Sequence, residues 1–229
     1  MVSFGVLTGV SFISRILFTI VGMLNKKIRS YQKSFKKYGV SPRALHWVSK
    51  EAAEVHYKQL IADLDFEGKS VLDVGCGFGD IIPYILEKSK HFEYIGIDIV
   101  PEFIKVAKDT YKNRINIKKK LRVHFLVRDY IKNPLRQKFD VVLCCGALNS
   151  NPSNSIRYRK KAIEIMWEYA REVVAFNMSG GYPQPENKNV NRVFYANSLE
   201  ILRFCFTLTS KIIFRHHYRK RDFTIAMFK

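Results

Sequence analysis

From residue 70 onward, the chain alternates between short apolar runs and longer amphipathic stretches. The apolar runs have the length of strands, and their sequences are SVLDV, FEYIGID, RVHFLV, FDVVLCC and EVVAFN. Among them lie three stretches with apolar residues at helical spacing, namely IIPYILEK, PEFIKVAKDTYK and SIRYRKKAIEIMWEYA. In the last of these, the inner side is expected to carry Ile156, Ile163, Met166 and Trp167. This order predicts an α/β fold in which helices cover both faces of a mostly parallel sheet.

Both ends of this region depart from the alternation. Ser41 and Pro42 are typical of an N-cap and a first helical position, so we expect a helix that continues to about Leu64. Near the C terminus, SLEILRFC predicts a short helix. It is followed by two strand-like runs, LTSKIIFRHHY and DFTIAMFK, which residues 219–221 separate. That short connection predicts a tight antiparallel hairpin, which gives a sheet of seven strands.

Residues 4–24 form a largely apolar run that is just long enough to cross a bilayer. Arg15 near its middle and three glycines oppose insertion. We therefore expect a helix on the domain or on a membrane surface first, a true anchor second, and a start codon assigned too far upstream third. If the run inserts, the basic residues that follow it up to residue 37 would hold the rest of the chain in the cytoplasm. The expected division is a terminal segment over residues 1–40 and one domain over residues 41–229.

The chain is strongly basic, with 39 Lys and Arg against 20 Asp and Glu and a formal charge of +19. The excess concentrates in residues 26–37, 112–122, 157–161 and 215–221. Such clusters attract nucleic acid, anionic membranes and acidic substrates, although we interpret them first as solvated faces. The cysteines, which are Cys76, Cys144, Cys145 and Cys205, include no Cys-x-x-Cys pair. This spacing predicts neither a zinc site nor a disulfide framework, and it favours a cytoplasmic protein without a bound metal.

A glycine-rich turn, VLDVGCGFGD, follows the first predicted strand. Its glycines are Gly75, Gly77 and Gly79, and Asp80 stands where a dinucleotide site would carry its third glycine. A phosphate-binding loop is excluded because no Gly-Lys-Ser/Thr follows. The turn therefore predicts a ligand that approaches the backbone closely, carries no phosphate and brings a positive charge toward Asp73.

Carboxylates also stand at the ends of the next two predicted strands. Asp98 ends the second strand, where a carboxylate can accept hydrogen bonds from a ribose diol. Asp129 ends the third strand beside Tyr130, a pair that suits the amino group and ring face of adenine. S-adenosylmethionine has a ribose, an adenine and no pyrophosphate, so it satisfies these requirements, with its ammonium group near Asp73.

These motifs resemble the class I S-adenosylmethionine-dependent methyltransferases. VLDVGCGFGD, YIGIDIVPEFIKVAK, FLVRDY and FDVVLCCGALN occur in the order and spacing of that family, and the resemblance extends from residue 41 to residue 229. It implies a Rossmann-like three-layer α/β/α sandwich with a C-terminal antiparallel hairpin. It also implies that the glycines approach the methionine part of the cofactor and that residues 145–149 face the sulfonium and the substrate. The expected cofactor-binding residues are Asp73, Gly75, Cys76, Gly77, Gly79, Asp98, Ile99, Asp129, Tyr130, Cys145 and Asn149.

The methyl acceptor is less defined. After the fourth strand the chain reads CCGALN, without the Pro-Pro-aromatic motif of enzymes that methylate base amino groups and without the Pro-Cys of cytosine carbon-5 enzymes. We expect O- or N-methylation of a small molecule. The alternatives are an RNA methyltransferase and a non-catalytic S-adenosylmethionine-binding protein. The polar loop over residues 179–192 predicts a lid. Candidate bases or substrate contacts are His46, Tyr182 and His216, each of them more typical of a structural or surface position; the oligomeric state stays open.

Overall fold

The computed structural model describes residues 26–112, 122–150, 156–185 and 193–229. The helices are α1 over residues 26–38, α2 (Lys50–Ile61), α3 (Ile82–Lys88), α4 (Pro101–Lys112), α5 (Ile156–Tyr169) and α6 (Ser198–Phe206). The strands are β1 (Lys69–Val74), β2 (Phe92–Asp98), β3 (Arg122–Val127), β4 (Phe139–Cys144), β5 (Ala170–Gly181), β6 (Ala196–Asn197), β7 (Ile212–Arg215) and β8 (Asp222–Phe228). The apolar run over residues 4–24 lies outside the described residues, and so does the second half of the predicted lid, residues 186–192.

One sheet with the strand order β3-β2-β1-β4-β5-β8-β7 forms the centre of the fold, and the short β6 pairs with the end of β5. Strands β1 to β5 are parallel, whereas β8 runs antiparallel to both of its neighbours. The predicted α/β fold with a C-terminal antiparallel pair is confirmed. Because β8 runs the opposite way, its first residue, Asp222, lies at the edge where the parallel strands end.

Each face of the sheet is covered by its own helices. Neighbouring residues of β1 show the division, since Val71 packs with α2, α3 and α4 while Leu72 packs with α5 and α6. Ile163 and Met166 of α5 are buried in the second core, and Ile156 and Trp167 pack against it. Burial on both faces explains why a central strand such as β4 is almost continuously apolar, whereas the edge strand β3 alternates between exposed and buried positions.

The predicted helix from Ser41 to Leu64 is wrong in its first part. Residues Pro42–Leu45 form one 3-10 turn, and the chain then turns at His46, whose φ of 66° is left-handed. A regular helix begins at Lys50, because the Ser49 side chain caps it by accepting the Ala52 N–H at 3.1 Å. Ser41 makes no such capping bond. The break leaves residues 45–48 free to pass over the carboxyl edge of the sheet.

Two further boundaries differ from the sequence prediction. Strand β7 ends at Arg215, so the loop between β7 and β8 covers residues 216–221 and is not a tight turn. Strand β5 continues to Gly181, so the polar loop begins after Gly181 and not at residue 179. Pairing with β8 as far as Ser179 and Asp222 satisfies the backbone of this extension.

Helix α1 packs against the rest of the domain. Phe35 lies 6.0 Å from Phe78 and 5.9 Å from Phe103 between ring centroids, and Tyr31 lies 5.8 Å from Phe103. Gln32 also donates a hydrogen bond to Glu102 at 2.9 Å. Within the described ranges, no helix combines the length and the apolar character needed to span a bilayer.

Candidate functional site

A cavity of about 670 Å³ lies at the carboxyl ends of the parallel strands. Following the strand order, its wall passes from Asp129 after β3 to Asp98, Asp73 and Cys145, and it ends at Asp222 of β8. Helix α1 and the turn over residues 45–48 also contribute to the lining. The cavity is within the size range of pockets that hold small ligands and cofactors, about 300 to 1,000 Å³.

The glycine turn shapes one wall of this cavity. Gly75 has a φ of +79°, and a Cβ atom there would lie 2.4 Å from the Cβ of Ala147. Only glycine therefore fits, both for its backbone conformation and for its space. The turn is also held by β2, since the N–H groups of Gly75 and Cys76 both donate to the Ile97 carbonyl, at 2.8 and 3.0 Å.

Asp73 places a buried carboxyl group beside this turn. One oxygen accepts a hydrogen bond from the Tyr94 hydroxyl at 2.6 Å, while the other has no hydrogen-bond partner. Burial raises the pKa of Asp73 to about 7, although the Tyr94 hydrogen bond opposes that rise. An unpartnered buried oxygen that lines a cavity suits a ligand that brings a positive charge or an N–H donor.

Asp98 joins the glycine turn to the end of β2. Its two carboxylate oxygens accept backbone N–H groups, from Gly77 at 3.0 Å and from Val100 at 2.9 Å. Burial raises the pKa of Asp98, and these two donors together with Lys27 oppose the rise. The carboxylate is thus held in one orientation with lone pairs left for a further donor.

Asp129 and Tyr130 are held differently. One oxygen of Asp129 accepts the backbone N–H groups of Ile131 and Lys132 at 3.2 and 3.4 Å. Tyr130 is buried, and its hydroxyl donates to the Ile165 carbonyl at 3.2 Å. The polar end of Tyr130 is therefore directed into the core below α5, and its contribution to the lining comes from the rest of the residue.

The turn after β4 is tied to β5 by two asparagines. Asn177 is fully buried and accepts the Gly146 N–H at 2.7 Å, and it also donates to the Cys145 sulfur at 3.2 Å. Asn149 accepts the Ser179 N–H at 2.7 Å. Burial raises the pKa of the Cys145 thiol well above its ordinary value, so this cysteine is not an activated nucleophile.

A family model described as "Methyltransferase domain" matches residues 65–198, which include the glycine turn, Asp98, Asp129 and the turn after β4. The chain belongs to the class I S-adenosylmethionine-dependent methyltransferases.

Individual members of this methyltransferase family match parts of the chain. Protein 235L of Invertebrate iridescent virus 6 is 39% identical over 33% of this chain and 25% of its own length. A malonyl-[acyl-carrier protein] O-methyltransferase of Acetivibrio thermocellus is 32% identical over 53% of this chain and 39% of its own length. The chain thus matches only part of either relative.

Among solved structures, a magnesium protoporphyrin IX methyltransferase from Synechocystis PCC 6803 with bound SAM (S-adenosylmethionine) has a similar fold. Its TM-score is 0.58 at 15% sequence identity, and the match covers 78% of each chain. At that identity the likeness concerns the fold alone.

Most residues that the sequence predicts for the methyltransferase cofactor site do line the cavity. They are Asp73, Gly75, Cys76, Gly77, Asp98, Ile99, Asp129, Tyr130, Cys145 and Asn149. Gly79 does not line it; the Tyr111 hydroxyl donates to its carbonyl, and a Cβ atom there would lie 3.0 Å from the Tyr111 ring. Gly79 therefore serves the packing of α4 against the turn.

The three candidate bases are placed apart from one another. His46 lines the cavity, stacks on Tyr31 at 4.3 Å and lies 2.8 Å from the Ser34 hydroxyl. Tyr182 is 63% exposed and outside the cavity lining. His216 is also outside it, with its ring nitrogen 2.9 Å from the Asp222 carbonyl. Of the three, only His46 contacts the cavity, and its neighbours connect it to α1.

Sequence reasoning missed several residues that the fold brings to the cavity. Lys27 and Tyr31 of α1 line it, and so do His56 and Tyr57 of α2 and Asp222 of β8. No local pattern marks them. His56 and Tyr57 occur within an ordinary amphipathic helix, and Asp222 begins a strand whose direction places it at the cavity only once the sheet is formed.

The interpretation of the basic clusters as solvated faces is wrong for two residues. Arg159 is fully buried; it donates to the carbonyls of Leu148 and Ser150 at 3.2 and 2.6 Å, and its guanidinium lies 3.9 Å from the centre of the Phe194 ring. Burial lowers its pKa to about 10. Lys27 is half-buried near Asp98 and Asp129. Arg159 and Lys27 are thus partly or fully removed from solvent, whereas Lys26 and Lys33 are exposed.

Proposed function

We propose that this protein transfers the methyl group of S-adenosylmethionine to an oxygen or nitrogen atom of a small molecule. The observation that carries the proposal is the single cavity that continues from the predicted adenosine end, at Asp98 and Asp129, to a separate end at His56 and Asp222. A volume of about 670 Å³ suits the cofactor and a small methyl acceptor together.

The residues present fit the cofactor by their chemistry. The unpartnered oxygen of Asp73 would accept the ammonium group of the methionine part, and the Gly75 backbone allows that part to approach closely. Asp98, already oriented by two backbone donors, would accept the ribose hydroxyls. Asp129 and Ile99 would contact the adenine. The bound cofactor would supply a methyl group on a positively charged sulfur.

The protein must also align the methyl acceptor with the methyl group of the cofactor. Methyl transfer from a sulfonium is a direct displacement, so the methyl acceptor must lie in line with the bond that breaks. The turn after β4, which Asn177 and Asn149 anchor, would form the wall between the two ends of the cavity. Trp47 and Tyr57 on the opposite side supply apolar area that excludes water from the acceptor.

The test combines cofactor binding with a search for the methyl acceptor. Calorimetry should detect binding of S-adenosylmethionine and of its demethylated product. Incubation with methyl-labelled cofactor should then label a compound in a metabolite extract and leave bulk RNA unlabelled. Label in RNA would favour the RNA methyltransferase alternative, whose binding should weaken steeply with salt. Cofactor binding without any labelled product would favour a non-catalytic cofactor-binding protein.

We also propose that residues 4–37 associate with a membrane surface. The basic residues of α1 include Lys26, Arg29 and Lys33, which are exposed. Cation clusters of this kind are attracted to anionic lipid head groups. Deletion of residues 1–25 combined with Lys26→Gln, Arg29→Gln and Lys33→Gln should move the protein from the membrane fraction to the supernatant after cell lysis. An unchanged distribution would refute the proposal.

A further inference from the structure

His56 is buried at the end of the cavity opposite Asp98. Its Nδ1 atom lies 2.6 Å from the Ala52 carbonyl oxygen, which can only accept a hydrogen bond. The hydrogen of a neutral ring is therefore on Nδ1. This leaves Nε2 with a lone pair, so Nε2 is the ring nitrogen that can take up a proton.

Asp222 faces that nitrogen from the start of β8. One of its oxygens lies 3.5 Å from Nε2 and accepts a hydrogen bond from Arg219 at 3.0 Å, while the other accepts the Ser179 hydroxyl at 2.9 Å. Serine and arginine thus hold the carboxylate in place beside the imidazole. A carboxylate in this position stabilises the ring once Nε2 has gained a proton.

Two aromatic rings pack against His56. The Trp47 ring lies 4.8 Å from the His56 ring, and the Tyr218 ring lies 5.7 Å from it. Trp47 also reaches the turn after β4, since a Cβ atom on Gly146 would be 3.1 Å from its ring. Trp47 therefore connects the histidine to the turn expected near the methyl group, and its ring offers a flat apolar surface for an aromatic acceptor.

We infer that the methyl acceptor is a phenolic hydroxyl compound and that His56 Nε2 accepts its proton during transfer. This inference rests on the proposed function. The phenolic oxygen forms a bond to the methyl carbon as the bond from that carbon to sulfur breaks, and the sulfonium becomes a neutral thioether. The phenolic proton passes to Nε2 of His56, where Asp222 stabilises the charge, and it leaves to solvent after the product departs.

The first test uses 4-nitrophenol, whose phenolate absorbs visible light. It is added to the full-length protein with the demethylated cofactor present, at a pH below the pKa of the free phenol. We expect the bound compound to show phenolate absorption that His56→Asn abolishes. Asparagine can still donate to the Ala52 carbonyl, so this variant keeps the structural hydrogen bond while it removes Nε2. His91→Gln is the matched control, because His91 lies on the surface in contact with Glu67.

The second test measures methyl transfer to 4-nitrophenol and to catechol. General-base groups contribute about 10²- to 10⁴-fold, so His56→Asn should slow transfer within that range without weakening cofactor binding. Asp222→Asn should cause a smaller loss. In His56→Ala, added imidazole should restore part of the rate, which a purely structural histidine would not allow.

The outcomes separate the inference from the function on which it rests. Failure to bind S-adenosylmethionine would overturn both. Cofactor binding with neither 4-nitrophenol nor catechol bound would overturn the phenolic acceptor alone. Phenolate absorption that survives in His56→Asn, or a rate that imidazole does not raise in His56→Ala, would overturn the role of His56.

Discussion

At the scale of single residues, the carboxyl group of Asp73 links the stability of the protein to its ligand. Burial raises its pKa to about 7, and one of its oxygens has no partner. In the folded protein the group therefore keeps its proton at pH values where the unfolded chain has lost it. The stability from this group is complete below the ordinary pKa of aspartate and is lost as the pH rises toward 7.

We expect Asp73→Asn to remove this pH dependence. Above pH 7 and without cofactor, the free energy of unfolding of the variant should exceed that of the wild type by about 1 to 3 kcal/mol, because the variant buries no charge at this position. It should also bind S-adenosylmethionine more weakly, since the ammonium group loses its counter-charge. Denaturant titration across the pH range measures the first effect and calorimetry the second. Parallel stability curves for the two proteins would contradict the assignment.

The cofactor should bind the ionised form of Asp73. A cation beside the carboxylate lowers its pKa, so binding should release a proton near pH 7 and become tighter as the pH rises through that value. Calorimetry in two buffers of different ionisation enthalpy counts the protons released. Affinity that is independent of pH would place the ammonium group elsewhere.

A substitution of Asp98 tests the proposed position of the ribose. Asp98→Ala should weaken cofactor binding by at least about 1.5 kcal/mol, the order expected for hydrogen bonds to a charged group. The backbone N–H groups of Gly77 and Val100 would also lose the carboxylate that accepts their hydrogen bonds. The free energy of unfolding is therefore measured together with the affinity. Asp109→Ala, an exposed aspartate on α4, is the control. An unchanged calorimetric affinity would refute the ribose assignment.

At the scale of elements, helix α5 holds the turn after β4 through Arg159. The guanidinium donates to two carbonyls of that turn, and its face lies against Phe194. One side chain of the basic run over residues 157–161 therefore stabilises the turn from inside the fold. Leu148 and Ser150 of that turn also line the cavity, so the contacts of Arg159 support both the fold and the cavity wall.

Loss of the Arg159 hydrogen bonds should destabilise the protein. Arg159→Ala leaves two carbonyls without their donor, and each loss of this kind costs about 1 to 3 kcal/mol. We expect a fall of about 2 kcal/mol or more in the free energy of unfolding, measured by denaturant titration. Arg157→Ala on the exposed side of the same helix should have almost no effect. Equal effects for the two variants would show that the contacts of Arg159 carry no stability.

Helix α1 should respond to the cofactor. Its residues Lys27 and Tyr31 line the cavity, as Asp98 does, so a ligand bound there would contact the helix directly. Amide hydrogens of residues 26–38 should exchange more slowly once the demethylated cofactor is bound, because local opening would break those contacts. Mass spectrometry of the exchanged protein measures this, and helix α6, away from the cavity lining, is the internal reference. Unchanged exchange in α1 would show that the helix does not contact the ligand.

At the scale of the whole molecule, two cores on opposite faces of the sheet support one ligand site at its edge. A ligand that binds only the folded state stabilises all of it. The demethylated cofactor at a hundred times its dissociation constant should raise the free energy of unfolding by about 2.7 kcal/mol. At the same cofactor concentration, Asp98→Ala should show a smaller increase. A shift of equal size in the variant would indicate that the stabilisation arises at another site.

The sequence by itself determined the parts of this protein that local chemistry controls. Apolar periodicity predicts the parallel strands and their helices, and the glycines of the turn follow from its backbone conformation. Asp98 and Asp129 could be placed together because parallel strands end at one edge of a sheet. Most of the residues that the sequence assigns to the cofactor therefore line the cavity, whereas Gly79 does not, and Lys27 and Tyr31 line it without having been predicted.

Only the tertiary structure decided the other end of the cavity. The left-handed turn at His46 interrupts what the sequence presents as one helix, and it brings Trp47 over the edge of the sheet. His56 and Asp222 are far apart in the chain, and they meet only because β8 enters the sheet antiparallel beside β5. Taken alone, each residue resembles an ordinary helix, loop or strand position. Its chemistry arises from a neighbour that no local pattern can specify.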